Sequence, residues 1–243
     1  MEEKLQRIKD IVEEELSCSA HNIEHVMRVY NLCLSLAKDE PKIDLFILKT
    51  SALLHDIARV KEDEDDTGMT DHAVLGAEMA GKILTNLGYT SEQIVKIKHC
   101  IITHRFRSGR EPQTSEAKIL FDADKLDVLG AIGIARLFMI AGQYGEKIYS
   151  DVPIEEYIRE NLVCGKPDGR IKDISKHAPN IEFETKFKRI PGRLFTKRAR
   201  EIAVIKLEYM KEFYENLRRE IKGELIWMRS RTFSRSEINK MKY

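Results

Sequence analysis

The 243-residue sequence carries almost no net charge and has no long hydrophobic run. Its 41 basic residues are balanced by 40 acidic ones, so no overall field selects a polyanionic partner, and we expect no nucleic-acid binding beyond a local patch. No apolar stretch approaches the roughly twenty residues that a transmembrane helix needs. The sequence therefore predicts a soluble protein with no membrane span.

Cysteine is scarce and widely spaced. The four cysteines, Cys18, Cys33, Cys100 and Cys164, form no Cys-x-x-Cys pair, which excludes an all-sulfur zinc site. They occur in apolar, helical surroundings, where a reduced thiol behaves as a small hydrophobic group, so we expect a reducing compartment. The first sixteen residues form a charged amphipathic pattern and not a signal or transit peptide. Together these features predict a cytoplasmic protein.

Apolar residues recur with a helical period along most of the chain, and no convincing series of strands is present. Capping residues mark two helix starts: Thr70 or Asp71, and the capping box that begins at Thr90. Residues 164–180 form a long irregular connection that is a candidate substrate loop. The predicted helices are 1–16, 23–38, 43–57 with Pro41 at the start, a helix ending near Gly88, one beginning after Thr90, 119–130, 131–141 and 194–221.

Histidine and aspartate interrupt several of these apolar helices. His55 and Asp56 end the apolar run 51–54, and His25 lies on the helix 23–38, one turn from His21. A lone His-Asp pair is most often a satisfied buried pair. However, the apolar helix 119–130 carries three aspartates, at positions 122, 124 and 127, and such a set needs a cation or a polar cavity nearby.

His25, His55, Asp56 and Asp124 would together offer two imidazoles and two carboxylates. This mixed nitrogen and oxygen set suits an octahedral divalent ion such as manganese, iron or magnesium. Four protein ligands leave two positions for water and a substrate oxygen, as a hydrolytic metal requires.

Four further features of the sequence need interpretation. His72 begins a helix, where the helix dipole favours a neutral imidazole that acts as a ligand or a hydrogen-bond donor. The acidic run 61–68 lacks the ligand spacing of a calcium loop and is predicted to be a solvated loop. The basic loop from Arg105 to Arg110 either meets a phosphate or is a plain surface loop. The basic tail after Trp227 is too short, and too poor in aromatic residues, to predict nucleic-acid binding.

The sequence Glu24-His25-Val26-Met27-Arg28-Val29, followed by His55-Asp56 and Asp124, resembles the HD-domain metal-dependent phosphohydrolases. The run from Asp122 to Asp127, with the run from Gly130 to Arg136, is similar to the bacterial and archaeal subgroup that includes nucleoside triphosphate pyrophosphohydrolases. The resemblance covers about residues 19–138. It implies an all-α fold, an HD-domain helical bundle that forms a single domain over 1–243, with a core at about 19–140 and additional C-terminal helices at about 150–243. The sequence departs from the family at His21-Asn22, where His-Asp is expected.

The resemblance also implies roles for individual residues. The metal ligands would be His25, His55, Asp56 and Asp124. His72 and His104 would stand near the metal and contact phosphate or a second ion. Asp127 would be a further catalytic group, which orients Lys125 or a group beside the base. Arg28, Arg105 and Lys125 would bind the substrate phosphates. We expect manganese as the ion, with magnesium, iron or cobalt as alternatives.

The predicted reaction is attack of a metal-activated water on a nucleoside triphosphate to give a monophosphate and pyrophosphate. The same ligands would equally serve a phosphomonoesterase or a cyclic-nucleotide phosphodiesterase. A metal-binding regulator without turnover is a third interpretation. The expected partner is a small phosphorylated substrate, a nucleotide in the first interpretation, and homo-oligomerisation stays open.

Overall fold

The structure, a computed structural model, describes residues 2–16, 23–105, 109–167 and 169–224, and these residues form an all-α fold. Within them there is no β-strand, only an isolated bridge between Leu162 and Ile171. Cys18, His21, Asn22 and the basic tail after Trp227 lie outside the described residues. The α-helices are α1 (Glu2–Glu15), α2 (Ile23–Leu36), α3 (Leu45–Leu54), α4 (Arg59–Asp63), α5 (His72–Asn86), α6 (Ser91–Thr103), α7 (Ser115–Asp127), α8 (Gly130–Tyr144), α9 (Ile154–Asn161), α10 (Pro179–Thr185) and α11 (Lys197–Ile221).

The core lies between α2, α3, α6 and α7. Helix α2 packs against α3 and α7, and α6 packs against α3, α5 and α7. Leu48, Leu54, Ile101 and Leu120 are fully buried there. Each such side chain contributes about 1.5–3 kcal/mol through the apolar surface that it removes from water. The polar residues of the site therefore sit on helices that apolar packing holds in place.

Helix caps confirm two predicted boundaries. The Asp71 carboxylate accepts a hydrogen bond from the amide of Ala73 at the start of α5. Thr90 and Gln93 form the predicted capping box at the start of α6. Gly88 follows α5 with a φ of 67°, a left-handed conformation that glycine adopts without strain.

Several helix boundaries differ from the prediction: α2 ends at Leu36, two residues early, and α7 spans Ser115–Asp127 and not 119–130. Helix α3 begins at Leu45 and not near Pro41, because the Asp44 carboxylate caps it by accepting from the amides of Phe46 and Ile47. It ends at Leu54, so His55 and Asp56 lie in the turn that follows. Helix α11 likewise starts at Lys197, capped by Thr196, and not at Leu194.

The acidic run was wrongly predicted as a solvated loop over its whole length. Its first residues belong to α4, which packs against α5. The side chain of Glu62 is only 14% exposed and points into the bundle. Asp66 and Gly68, later in the run, are exposed as predicted.

Asp122 has a structural role and needs no cation. Its carboxylate accepts hydrogen bonds from the amides of Phe195 and Thr196 at 2.9 and 2.7 Å and from the Thr196 hydroxyl at 2.8 Å. It thereby joins α7 to the start of α11. The prediction that all three aspartates of this helix need a cation or polar cavity is therefore wrong for Asp122.

The turn between α7 and α8 sets the direction of α8. Gly130 has a φ of 74°, and a β-carbon at this position would lie 3.2 Å from the Lys206 side chain of α11. The Lys206 ammonium donates to the carbonyl oxygens of Leu126 and Leu129, at the end of α7 and in the turn that follows. The two helices are bent by 62° at this break. No single helix in the described ranges is long and apolar enough to cross a membrane, and α7 and α8 meet that criterion only as this bent pair.

The irregular connection after α9 contains short 3-10 turns at Val163–Gly165 and Ile174–Lys176. Cys164 is exposed in the first of them, with a φ of 59°, and not in apolar helical surroundings as predicted. Cys33 and Cys100 are buried, as predicted.

Candidate metal centre

Four histidines and two aspartates converge in the interior of the bundle. His25 lies on α2, His55 and Asp56 follow α3, and Asp124 lies on α7. His72 opens α5 and His104 follows α6. Because α2 packs against both α3 and α7, the side chains from these three elements meet. All six residues are buried, each less than 10% exposed: His25, His55, Asp56, His72, His104 and Asp124.

The first group of potential metal ligands contains His25, His55 and Asp56. The Nε2 atoms of His25 and His55 are 3.3 Å apart. The Oδ2 atom of Asp56 lies 3.6 Å from the first of these and 3.8 Å from the second. Asp124 adds its Oδ1 atom, 3.5 Å from His25 Nε2. The four residues predicted as metal ligands are thus brought together.

The second group contains Asp56, His72 and His104. The Nε2 atoms of the two histidines are again 3.3 Å apart. The Oδ1 atom of Asp56 lies 3.4 Å from His72 Nε2 and 3.3 Å from His104 Nε2. Asp56 therefore presents one carboxylate oxygen to each group.

The other ring nitrogen of each histidine fixes its tautomer. His55 Nδ1 donates to the carbonyl of Ala52 at 2.8 Å, and His104 Nδ1 donates to the carbonyl of Ile101 at 2.6 Å. The remaining two rings donate to carboxylates: His25 Nδ1 to Asp127 at 2.8 Å and His72 Nδ1 to Glu62 at 2.7 Å. In the neutral rings the proton is then on Nδ1 and each Nε2 carries a lone pair. These Nε2 atoms face each other in two pairs, His25 with His55 and His72 with His104.

This arrangement fits divalent cations. Two lone pairs at 3.3 Å cannot hydrogen-bond to each other, but both can coordinate a cation that lies beside them. The carboxylates of Asp56 and Asp124 add hard oxygen ligands to the imidazoles. The histidine and aspartate donors of this site therefore fit a divalent metal ion, as the sequence predicts.

Burial and charge shift the pKa values of these groups in opposite directions. Burial lowers the pKa of His25, but hydrogen bonds to Asp124, Asp127 and Asp56 outweigh it and raise that pKa to about 10. Burial dominates at His55 and lowers its pKa to about 4. Burial alone would raise the pKa of Asp56, but the adjacent histidines hold it well below its usual value. At neutral pH the carboxylates are therefore ionised, and a cation that binds beside His25 must displace the proton that the raised pKa of this ring retains.

Asp127 lies behind His25 and contacts it, not Lys125. Besides the His25 ring, its carboxylate accepts from Arg28 Nε at 2.7 Å and Nη2 at 3.1 Å, and from Arg136 Nη1 at 2.9 Å. The aspartate side chain is only 2% exposed. Lys125 instead forms an ion pair with Asp124. Asp127 therefore orients a potential ligand and does not face the centre itself.

Glu62 has the equivalent position behind His72. It accepts from the His72 ring, from Arg59 at 2.8 Å, and from Arg105 at 2.8 Å. Arg105 also pairs with Asp71 at 2.9 Å. Glu62 and Arg59 were not predicted as site residues. Arg59 lies three residues after Asp56, and Glu62 lies three residues after Arg59 on α4.

A cavity of about 340 Å³ opens onto both groups. Four cationic side chains line it, together with one apolar residue and the potential ligands. Of the predicted phosphate-binding residues, Arg105 and Lys125 line this cavity, whereas Arg28 is not among the lining residues. Phe106, Arg107 and Ser108 of the predicted phosphate loop lie outside the described residues. The lining residues are His25, Asp56, Arg59, Glu62, His72, His104, Arg105, Asp124, Lys125, Val128 and Arg136.

Comparison with known proteins identifies the fold family. Residues 22–129 match the family model of the HD domain. The uncharacterized protein YpgQ of Bacillus subtilis is 31% identical over 209 residues, which cover 84% of this chain and 86% of YpgQ. The structure of YpgQ in complex with ADP superimposes with a TM-score of 0.65 at 27% identity, covering 90% of this chain and 95% of that one.

Two further similarities concern enzymes. The crystal structure of an HD-superfamily hydrolase from Bacillus thuringiensis superimposes with a TM-score of 0.67 at 26% identity, covering 92% of this chain and 99% of that one. The 3'-5' exoribonuclease YhaM of Bacillus pumilus is 27% identical over 139 residues, which are 52% of this chain but only 44% of YhaM. The chain thus spans less than half of the exoribonuclease, but nearly all of the hydrolase. From its HD domain, its likeness to YpgQ and its buried histidine and aspartate groups, this chain belongs to the HD superfamily of metal-dependent hydrolases.

Proposed function

We propose that the chain is a phosphohydrolase that cleaves nucleoside triphosphates to monophosphate and pyrophosphate. The observation that carries this proposal is the pair of ligand groups that share the carboxylate of Asp56. Such paired sites are typical of enzymes that displace a leaving group at phosphorus.

In this proposal His25, His55, Asp56 and Asp124 hold one divalent ion, and Asp56, His72 and His104 hold a second. Manganese suits this nitrogen and oxygen set, with magnesium, iron or cobalt as alternatives. When bound, such ions lower the pKa of water and polarise a phosphoryl oxygen. His72 and His104 are therefore assigned to metal binding, one of the two roles predicted for them.

The cationic residues of the cavity would bind the phosphate oxygens. Lys125 and Arg136 lie on the side of His25, and Arg59 and Arg105 on the side of His72. The Nε atom of Arg59 is, among the described residues, a buried donor without a hydrogen-bond partner. These residues would neutralise the negative charge that a polyphosphate brings into the cavity.

Asp127 and Glu62 would act as positioning residues. Each accepts the Nδ1 proton of one histidine and so keeps the Nε2 lone pair directed at the centre. Each also binds an arginine that lines the cavity, namely Arg136 for Asp127 and Arg59 for Glu62. The metal ligands and the phosphate-binding side chains would therefore be held by the same carboxylates.

The likeness to YpgQ, whose structure contains ADP, supports a nucleotide substrate. The likeness to YhaM supports a second candidate, hydrolysis of the phosphodiester bonds of RNA. Phosphomonoester and cyclic-nucleotide hydrolysis use the same activated water, and the ligand groups alone do not distinguish them.

Product identification separates these reactions. The manganese-loaded protein would be incubated with nucleoside triphosphates, nucleoside monophosphates, a cyclic nucleotide and a short RNA, and the products separated by chromatography. We expect pyrophosphate from the triphosphates, no activity in Asp124→Ala, and unchanged activity in Asp66→Ala, a control at an exposed aspartate. Release of nucleoside monophosphates from RNA alone would favour the second candidate. Full metal binding and activity in Asp124→Ala would refute the assignment of the site.

A further inference from the structure

The cavity at the metal centre is suited to phosphates and poorly suited to a nucleobase. Its volume, about 340 Å³, is at the lower end of the range of roughly 300–1,000 Å³ for small-molecule sites. Among the described residues that line it, Val128 is the only apolar one. An aromatic base gains affinity from apolar contacts, so a bound nucleotide needs an apolar surface at the rim of this cavity.

Helix α8 provides such a surface. Arg136 lines the cavity, and Ile132 and Met139 lie four residues before it and three residues after it, on the same side of the helix. Ile132 is 41% exposed and Met139 is 74% exposed. Val128, in the turn before α8 and four residues before Ile132, is an apolar residue that lines the cavity.

We propose that the exposed face of α8 formed by Ile132 and Met139 binds the base of the nucleotide while Arg136 contacts its phosphates. The inference rests on the proposed function, because it takes the substrate to be a nucleotide. A flexible thioether and a branched aliphatic side chain pack against an aromatic ring without demanding a specific hydrogen-bonding pattern. This face therefore binds bases of different kinds, and it contributes affinity more than base selectivity.

Another exposed apolar residue lies near the opposite side of the cavity. Met69 is 85% exposed and precedes His72 by three residues. Its chain neighbours are Gly68 and Thr70, so it does not form part of a continuous apolar face. The α8 face is favoured because Arg136, which lies between Ile132 and Met139 on the same side of the helix, lines the cavity. Met69 provides a chemically matched control.

The test compares binding of ADP with binding of pyrophosphate, which lacks the nucleoside. Dissociation constants would be measured by calorimetry for the manganese-loaded protein and for the variants Met139→Ala, Ile132→Ala and Met69→Ala. We expect the two α8 substitutions to weaken ADP binding about 5- to 10-fold, the loss expected when one apolar contact is removed, and to leave pyrophosphate binding unchanged. Met69→Ala should change neither.

Equal effects on ADP and pyrophosphate, or loss of ADP affinity in Met69→Ala alone, would overturn the inference. Unchanged ADP affinity in both α8 variants would overturn it as well. These binding constants do not depend on turnover. A protein that binds ADP through α8 but releases no pyrophosphate from nucleoside triphosphates would contradict the proposed function and leave the inference standing.

Discussion

The substitution Asp127→Asn tests whether the residues behind the ligands control metal binding. The carboxylate accepts four hydrogen bonds, one from His25, two from Arg28 and one from Arg136. Three of them reach Oδ2 and one, from Arg28 Nε, reaches Oδ1. An asparagine will place its amide oxygen at the Oδ2 position, and its amide group will then face the Nε–H of Arg28, donor against donor.

The expected effect on metal affinity is a loss of about 10- to 100-fold, typical of a lost partner behind a metal-binding histidine. This corresponds to about 1.4–2.7 kcal/mol of binding free energy. The cause is electrostatic, because the variant removes the negative charge that balances two guanidinium groups next to His25. Calorimetric titration with manganese at constant pH measures the change directly.

Asp122→Asn is the matched control, since Asp122 is a buried aspartate on the same helix. It accepts three hydrogen bonds from the start of α11 and contacts none of the ligand groups. We expect this variant to lower the free energy of unfolding by about 1–3 kcal/mol and to bind manganese as tightly as the unmodified protein. Unchanged manganese affinity in Asp127→Asn, or an equal loss in both variants, would refute the reasoning.

Further predictions concern the second ligand group, the bound metal and the cavity. His104→Ala should lose one of two bound manganese ions. The control His99→Ala changes a histidine of α6, the helix that His104 follows, but outside both ligand groups, and should keep both ions. Metal analysis of the dialysed proteins measures the number of ions bound. Manganese at about 100 times its dissociation constant should raise the free energy of unfolding by about 2.7 kcal/mol for each ion bound, measured by thermal denaturation, and a chelator should reverse the gain. Arg105→Gln should raise KM for a nucleoside triphosphate with little change in kcat, because Arg105 lines the cavity but contacts Glu62 and Asp71, not the ligands. A lower kcat at constant KM would instead place Arg105 in the chemical step.

The sequence predicted the helices and the central residues because each depends on a local or strong signal. Helical periodicity and capping residues mark α1, α2, α5, α6 and α8 to within a few residues. The ends of α3 and α7 and the start of α11 differ from the prediction, and α4, α9 and α10 were not predicted. His25, His55, Asp56 and Asp124 were identified because a titratable group in an apolar helix is costly without a partner. Their convergence then follows from the packing of the helices that carry them.

The residues behind the ligands were harder to predict. Glu62 stands in a run of charges that is, on average, exposed, and only the packing of α4 against α5 turns it inward. Asp122 and Asp124 are two residues apart in the same helix, but one meets backbone amides and the other meets imidazoles. Arg28 was expected at the phosphates, but its guanidinium is engaged with Asp127. In each case the partner comes from a distant part of the chain, and no local pattern identifies it.

The central claim, that Asp56 joins two metal-binding groups, is tested most directly by anomalous diffraction from crystals grown with manganese. The account predicts two peaks, one among His25, His55, Asp56 and Asp124 and the other among Asp56, His72 and His104. A single peak would reduce the centre to one ion, and peaks only at other places on the protein would contradict the account.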